Sequence, residues 1–269
     1  MNSESSKPID AMRYDDGVAG ECIDDLTVEM PLQIKLNGRP FSVTMRSPGD
    51  DLHLVRGLLF TEGIVDSRSG DISFHLEEHP ETGEVIAVSV KISEAYLCDS
   101  AFDKRSLLAN ASCGLCGQRE LDIDALGKKA LSPAEKLPIG LVPELMDRKR
   151  QAQHVFSRTG STHAAAVFEM TGELICLYED IGRHNAVDKA IGHLLESDSL
   201  GRAMILAVSG RISFEIVIKA YQAGIPFLLA VSAPSSFAVE MCRLWGMSIL
   251  GFCRDSRATV YANPEQVID

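Results

Sequence analysis

The sequence predicts an α/β protein: a small, hairpin-rich α+β unit, then a layered α/β domain. Three observations lead there. Turn dipeptides between alternating apolar runs mark hairpins in the first 110 residues, with one helical stretch between them. After residue 180, short apolar runs alternate with amphipathic segments of helix length. Strands alternating with helices of ~10 residues imply parallel pairing through right-handed crossovers. No internal repeat or low-complexity tract interrupts this organisation.

The elements follow in chain order. Residues 1–24, polar and acidic, read as a flexible tail. From Leu32 to Met45, apolar and polar residues alternate around Asn37-Gly38, a dipeptide that supplies the positive φ angles of a tight hairpin turn. Asp50 or Asp51 can cap the next stretch, where Leu54, Leu58 and Leu59 fall at helical spacing. A second hairpin pairs the run 72–76 with 85–92 across Thr82-Gly83. These elements define a small α+β subdomain over residues 25–110, and residues 111–269 form the second domain. The segment 104–120 has small residues, glycines and no clear period, and is predicted to be a loop. Pro143 opens a helix through about Phe156, and a third hairpin turns at Thr171-Gly172. Ala186, Val187, Ala190, Ile191, Leu194 and Leu195 share one helix face. The strand 204–208, helix 214–222, strand 227–231, helix 236–244 and strand 248–252 complete the pattern.

Composition narrows the function. Apolar residues make up 45% of the 269 and charged residues 24%, which suits a soluble globular protein. A net charge of -12 repels a phosphate backbone, so nucleic acid is not an expected partner. No secretory signal opens the chain, and runs such as Ala203 to Val208 fall far short of the ~18 residues of a spanning helix. A cytoplasmic protein with no membrane partner is expected. The 7 cysteines, an odd count, then read as free thiols in a reducing compartment.

One cysteine pair is close in sequence, Cys113 and Cys116 of Cys-Gly-Leu-Cys-Gly. It can be half a zinc site, a dithiol redox pair or a group-carrying nucleophile. Structural zinc needs four ligands, and no second close Cys or His pair exists, so no metal site is expected. A thioredoxin-type pair sits at a strand-to-helix junction, whereas this pair lies in a glycine-flanked loop. Lys104 and Arg105 are candidate cationic neighbours, or plain solvated loop charges. Zinc deaminase chemistry fails at His163, because the position two residues on is Ala165 rather than the proton-shuttling Glu.

A second set of residues gathers at predicted strand ends. Glu179-Asp180-Ile-Gly-Arg183-His184 enters a helix N-terminus, which suits an anion or a simple capped helix. Ser209-Gly210-Arg211, Ser232 and the run Phe252, Cys253, Arg254, Asp255, Ser256 and Arg257 also follow strands. Ligands of open α/β sheets collect at the carboxyl ends of strands, so these groups suggest a shelf for a phosphate-bearing ligand.

Five ordered motifs carry a resemblance. They are 113–117, Thr-Gly-Ser-Thr-His-Ala-Ala-Ala at 159–166, Glu-Asp-Ile-Gly-Arg-His-Asn-Ala-Val-Asp-Lys at 179–189, Ser-Gly-Arg-Ile-Ser-Phe-Glu at 209–215 and Gly-Phe-Cys-Arg at 251–254. Together they resemble FdhD, the formate dehydrogenase accessory sulfurtransferases, from about Leu32 to residue 261. The resemblance implies a homodimer with a cytidine-deaminase-like layered fold that lacks the deaminase metal. It implies transfer of persulfide sulfur from a cysteine desulfurase, through Cys113, to the molybdenum bis(molybdopterin guanine dinucleotide) cofactor destined for formate dehydrogenase. Cys116 is a possible second thiol. The guanine-dinucleotide site, for which GDP-like nucleotides are partial ligands, is implied at residues 252–257, with Arg183, His184, Ser209, Arg211 and Ser232 as further candidates. Relatives can read Lys-Pro-Gly where this chain has Arg254-Asp255-Ser256. The alternative is a non-catalytic cofactor chaperone whose cysteines serve redox regulation.

Overall fold

The computed structural model describes residues 5–65, 72–93, 96 and 129–269. Its first elements, β1 (Ser6–Asp15) and β2 (Val18–Thr27), form an antiparallel hairpin closed by Asp16-Gly17, both with positive φ. From Ser6 on, this hairpin stands where a loose tail was expected over residues 1–24. Acidic, polar composition argues for a tail, but Asp-Gly in a two-residue loop is a tight-turn signal. Next, β3 (Met30–Leu36) and β4 (Arg39–Arg46) form the expected hairpin, with φ of 48° at Asn37 and 78° at Gly38.

The helix α1 (Asp51–Thr61) follows, then the hairpin of β5 (Ile72–Glu78) and β6 (Val85–Ile92). A parallel pairing of β3 with β6 joins the two hairpins into one sheet of order β4-β3-β6-β5. Leu32, Ile34 and Leu36 alternate along β3 to one face, where they bury with Val88 and Val90 of β6 and with Leu54, Val55 and Leu59 of α1. Each such side chain contributes ~1.5–3 kcal/mol when removed from water.

The second unit opens with β7 (Leu137–Pro138), α2 (Val142–Gln151) and α3 (His154–Thr159). One helix was expected from Pro143 to Phe156; two form instead. The two carboxylate oxygens of Glu179 accept from the backbone N–H groups of Val155 and Phe156 at 2.8 Å each and so cap a new helix start. The order continues β8 (His163–Phe168), β9 (Leu174–Asp180), α4 (Arg183–Glu196), β10 (Ile205–Val208), α5 (Phe214–Ala223), β11 (Phe227–Ala230), α6 (Ser236–Trp245), β12 (Ser248–Arg254), β13 (Arg257–Ala262) and β14 (Val267–Ile268), which pairs with β7.

These strands build a six-stranded sheet, β13-β12-β11-β10-β8-β9. As expected, β10, β11 and β12 are parallel. The flanking pairs are antiparallel; residues 252–254 close β12 as expected, and Asp255 and Ser256 then turn into a further strand, β13. Period-2 alternation serves both faces. Ala165, Val167, Leu206 and Val208 pack on α4, α5 and α6, while Ala166, Phe168, Ile205 and Ala207 pack on α2.

The two units meet where α1 crosses α4. A Cβ added at Gly57 would collide with the carbonyl oxygen of Asp188, and one at Gly192 with that of His53, so glycine at both positions permits the close crossing. Around it lie buried charges. Lys219 Nζ sits 2.9 Å from Asp188 Oδ1, which also accepts from Thr61 Oγ1 at 2.7 Å. Lys189 Nζ is 2.8 Å from Asp180 Oδ2 and donates to Ser47 O at 3.0 Å. The expected border at residues 110 and 111 lies outside the described residues. Among the described residues, no helix is long and apolar enough to cross a membrane.

Candidate functional site

The topology brings most of the strand-end residues to one edge of the large sheet. Because β10, β11 and β12 run parallel, their carboxyl ends align, and these carry Ser209, Ser232 and Arg254. Because β8 runs against β10 and β9 against β8, the start of β8 (His163) and the end of β9 (Asp180) reach the same edge.

On the β8–β10 side the contacts are close. Ser209 Oγ accepts from the N–H of Ala164 at 2.9 Å and lies 3.2 Å from His163 Nδ1. Gly210 fits under two side chains; a Cβ there would lie 3.3 Å from His163 Nδ1 and 3.5 Å from Arg183 Cδ. Among the described residues, the Nε of Arg183 is buried without a hydrogen-bond partner, as is Ser213 Oγ at the N-terminus of α5. Burial holds His163 below its ordinary value, and the charges of Arg183 and His184 push it the same way. A neutral imidazole beside unpartnered donors suits an acceptor-rich ligand such as a phosphate.

The β11–β12 side is joined to this by a bridge between Ile212 and Pro234 and by the Ser235 N–H, which donates to Ile212 O at 2.9 Å. Phe252 N–H donates to Ser232 O at 3.3 Å, and Arg254 Nε to Val231 O at 3.2 Å. Phe252 has φ 54°, left-handed for an aromatic residue, where the pairing of β12 and β13 shifts register. Bulges of this kind re-aim side chains beside functional sites, and the Phe252 ring is 37% exposed. Asp255 has φ 51°. Proline, held near −65°, cannot take that angle. The turn in this chain therefore differs in backbone from the Lys-Pro-Gly turn the resemblance implied.

Some candidates sit elsewhere. His184 is buried, with Nε2 2.7 Å from Glu215 Oε2, so it links the starts of α4 and α5. Cys253 is 1% exposed in the core under β12, where burial pushes its thiol up to about 11. Arg211, Ser256 and Arg257 are exposed along the edge. Asp180, Asn185, Asp188 and Lys189 turn inward to the junction with the first unit rather than out to a ligand. Cys113, Cys116, Lys104 and Arg105 lie outside the described residues. The residue that strand-end reasoning missed is His163; a histidine opening a strand followed by three alanines was its only signal.

Fold and edge together define an α/β protein with an anion-suited shelf at the carboxyl ends of its parallel strands. Comparison with known proteins makes this specific. The FdhD/NarQ family profile matches residues 27–268, and the chain belongs to that family. It is 41% identical over 265 residues to a protein of Streptomyces coelicolor named sulfur carrier protein FdhD, covering 95% of this chain and 93% of that one. It is 39% identical over 254 residues to one of the same name from Sulfolobus acidocaldarius, covering 94% of each. The fold matches the crystal structure of a putative formate dehydrogenase accessory protein from Desulfotalea psychrophila with a TM-score of 0.77 at 22% identity, over 98% of this chain and 100% of that one.

Proposed function

We propose that this chain is a sulfurtransferase that serves formate dehydrogenase, taking sulfur from a cysteine desulfurase and passing it to the molybdenum bis(molybdopterin guanine dinucleotide) cofactor. The observation that carries the reading is the strand-end shelf, where Arg183 Nε lies buried without a partner among the described residues, beside Ser209, Gly210 and a neutral His163. Such a site offers donors to phosphate oxygens. The exposed ring of Phe252 at the other end of the edge offers a stacking surface to a guanine base, a contact worth ~1–3 kcal/mol. The molybdenum cofactor is the substrate here, not a resident group. A deaminase-like layering, with three helices on one face of the mixed sheet, belongs to the same proposal.

In the carrier step, the Cys113 thiolate attacks the outer sulfur of the desulfurase persulfide. A new S–S bond forms at Cys113, and the desulfurase cysteine leaves as its thiolate. The attacked sulfur thus moves to Cys113 as a persulfide, with no external oxidant or reductant. An unperturbed thiol is only ~3% thiolate at pH 7. The buried thiols are far worse placed. Burial pushes Cys176 and Cys242 up to about 12 and Cys253 to about 11, so all three are protonated at neutral pH. That leaves Cys22 among the described cysteines, and Cys98, Cys113 and Cys116 beyond them. Cys116 is proposed as a possible second thiol, a homodimer as the assembly and the cytoplasm as the compartment.

The site is tested by titrating GDP into the wild type and Phe252→Ala. The substitution should weaken binding roughly 5- to 150-fold, matching the loss of one stacked base; equal affinity would remove Phe252 from the site. The chaperone reading is separated by incubation with a desulfurase and labelled cysteine. A sulfurtransferase retains label after desalting, and a chaperone does not.

A further inference from the structure

We propose that the β1–β2 hairpin is a two-fold dimerisation arm that stacks face to face on the same hairpin of a second copy of this chain. This rests on the homodimer reading above and adds where the interface lies. Two strands with no third are marginally stable in water unless something covers a face. The hydrogen bonds of this hairpin to the rest of the described chain gather at its base. Thr27 Oγ1 lies 2.8 Å from Thr159 Oγ1 and 2.7 Å from Ser161 Oγ, and Arg158 pairs with Asp25 at 3.0 Å. Apolar side chains stand in solvent along it, with Val18 72%, Leu26 46% and Ile9 39% exposed on the face that also carries Ala11 and Cys22.

The pairing register sorts the side chains onto two faces. One face carries Asp10, Glu21 and Asp25 with no basic residue of the hairpin; Arg158 already holds Asp25 at the base, and Asp10 and Glu21 would repel a copy of themselves. The other balances Lys7 and Arg13 against Asp15 and Asp24, on either side of the small pair Ala11–Cys22. That second face is its own complement. A two-fold axis running across the strands at the Ala11–Cys22 pair lays β1 over the partner's β1 in the opposite direction. Lys7 then meets the partner's Asp15, and Leu26 meets the partner's Val18. Arg13 comes within reach of the partner's Asp24, in the space that Gly20 leaves by having no side chain. Each contact occurs twice, as an isologous interface requires.

Two quantities agree with this occupant. Ten residues at ~3.3 Å each make a face ~33 Å long, and stacking two such hairpins buries on the order of 1,000 Å² in total, about what a specific interface needs. The base of the balanced face also borders a cleft lined by Lys7, Leu26, Arg46 and the start of α1. In the two-fold arrangement the partner's Asp15-Asp16 turn falls at the mouth of this cleft, beside Lys7.

The test is sedimentation equilibrium at micromolar concentration on the full chain. It compares wild type, Val18→Asp, Arg13→Glu and the charge-swapped double variant Arg13→Glu/Asp24→Arg. Each is also treated with a short bismaleimide, with Cys22→Ser as control. The wild type should be a dimer, and each single variant should raise the dissociation constant roughly tenfold or more. The double variant should recover most of that loss, and the cross-linked dimer should vanish in Cys22→Ser. GDP affinity reports that each variant is folded. A wild-type dimer that no substitution weakens and that Cys22 does not cross-link overturns the arm while leaving the homodimer reading intact. A wild-type monomer overturns both.

Discussion

The segment 179–189 borders two regions of the molecule, the junction between the units and the strand-end shelf, and its residues divide between them. On the junction side, Asp180 accepts from the N–H groups of Ser47 and Gly182 and from Asn185 Nδ2, and pairs with Lys189. Asp188 is held by Lys219 and Thr61. On the shelf side, Arg183 Nε and Ser213 Oγ are buried with no partner among the described residues. Leaving a buried polar group unpaired costs ~1–3 kcal/mol. The polar groups named on the junction side are all partnered, whereas the shelf keeps two that a ligand could satisfy. The contrast sorts one stretch of sequence into scaffold and site without reference to function.

The largest effect should come from breaking the scaffold side. Lys189→Met leaves the Asp180 carboxylate buried without its cation, at ~3–5 kcal/mol of stability. Thermal unfolding should show a large fall in Tm, partly restored in Lys189→Met/Asp180→Asn; an unchanged Tm would mean the pair is not structural. The shelf side should behave in the opposite way. Arg183→Ala should leave Tm close to wild type yet weaken GDP binding roughly 10- to 150-fold, the value of a charged hydrogen bond of ~1.5–3 kcal/mol. If Arg183→Ala instead lowered Tm and left affinity alone, the division would be reversed.

A smaller loss is expected at the exposed end of the shelf. Arg254→Ala and Arg257→Ala should each weaken GDP roughly tenfold, and less as salt screens the contact. Equal affinities at two salt concentrations would confine the site to Arg183 and its neighbours. The smallest effect is on pH. In the free protein His163 is held below its unfolded value near 6.5 by burial, then by Arg183 and His184. The folded state therefore binds fewer protons, and the stability His163 contributes is present above pH ~6.5 and is lost as pH falls through the folded value. A bound phosphate pulls the imidazole the other way. GDP affinity should thus rise by up to about tenfold on acidification below pH ~6.5, one pKa unit being tenfold, and His163→Gln should flatten that rise.

Local chemistry was legible in the sequence, and non-local partnership was not. Asn37-Gly38 and Thr171-Gly172 announce their hairpins because the turn residues alone decide the backbone. The hairpin β1–β2 gave no such alternation, since polar residues stand on both of its faces. The break between α2 and α3 depends on Glu179, more than twenty residues away. The parallel pairing of β3 with β6, which makes one sheet of the two hairpins in the expected α+β subdomain, left no mark in either hairpin's sequence. At the site, the strand-end pattern found Ser209, Ser232 and Arg254 because parallel strands align their ends. It misread His184, since a helix N-terminus does not reveal which of its side chains turns inward to Glu215.

The central claim is that sulfur travels on Cys113, and mass spectrometry of the digested protein tests it most directly. After incubation with a desulfurase and cysteine, the peptide containing Cys113 should gain the mass of one sulfur atom, lost again on treatment with a reductant. Cys113→Ala should gain none, yet should bind GDP as the wild type does. Transferable sulfur found on Cys22, Cys98, Cys116 or Cys253 instead, or no added sulfur on any cysteine, would contradict the account.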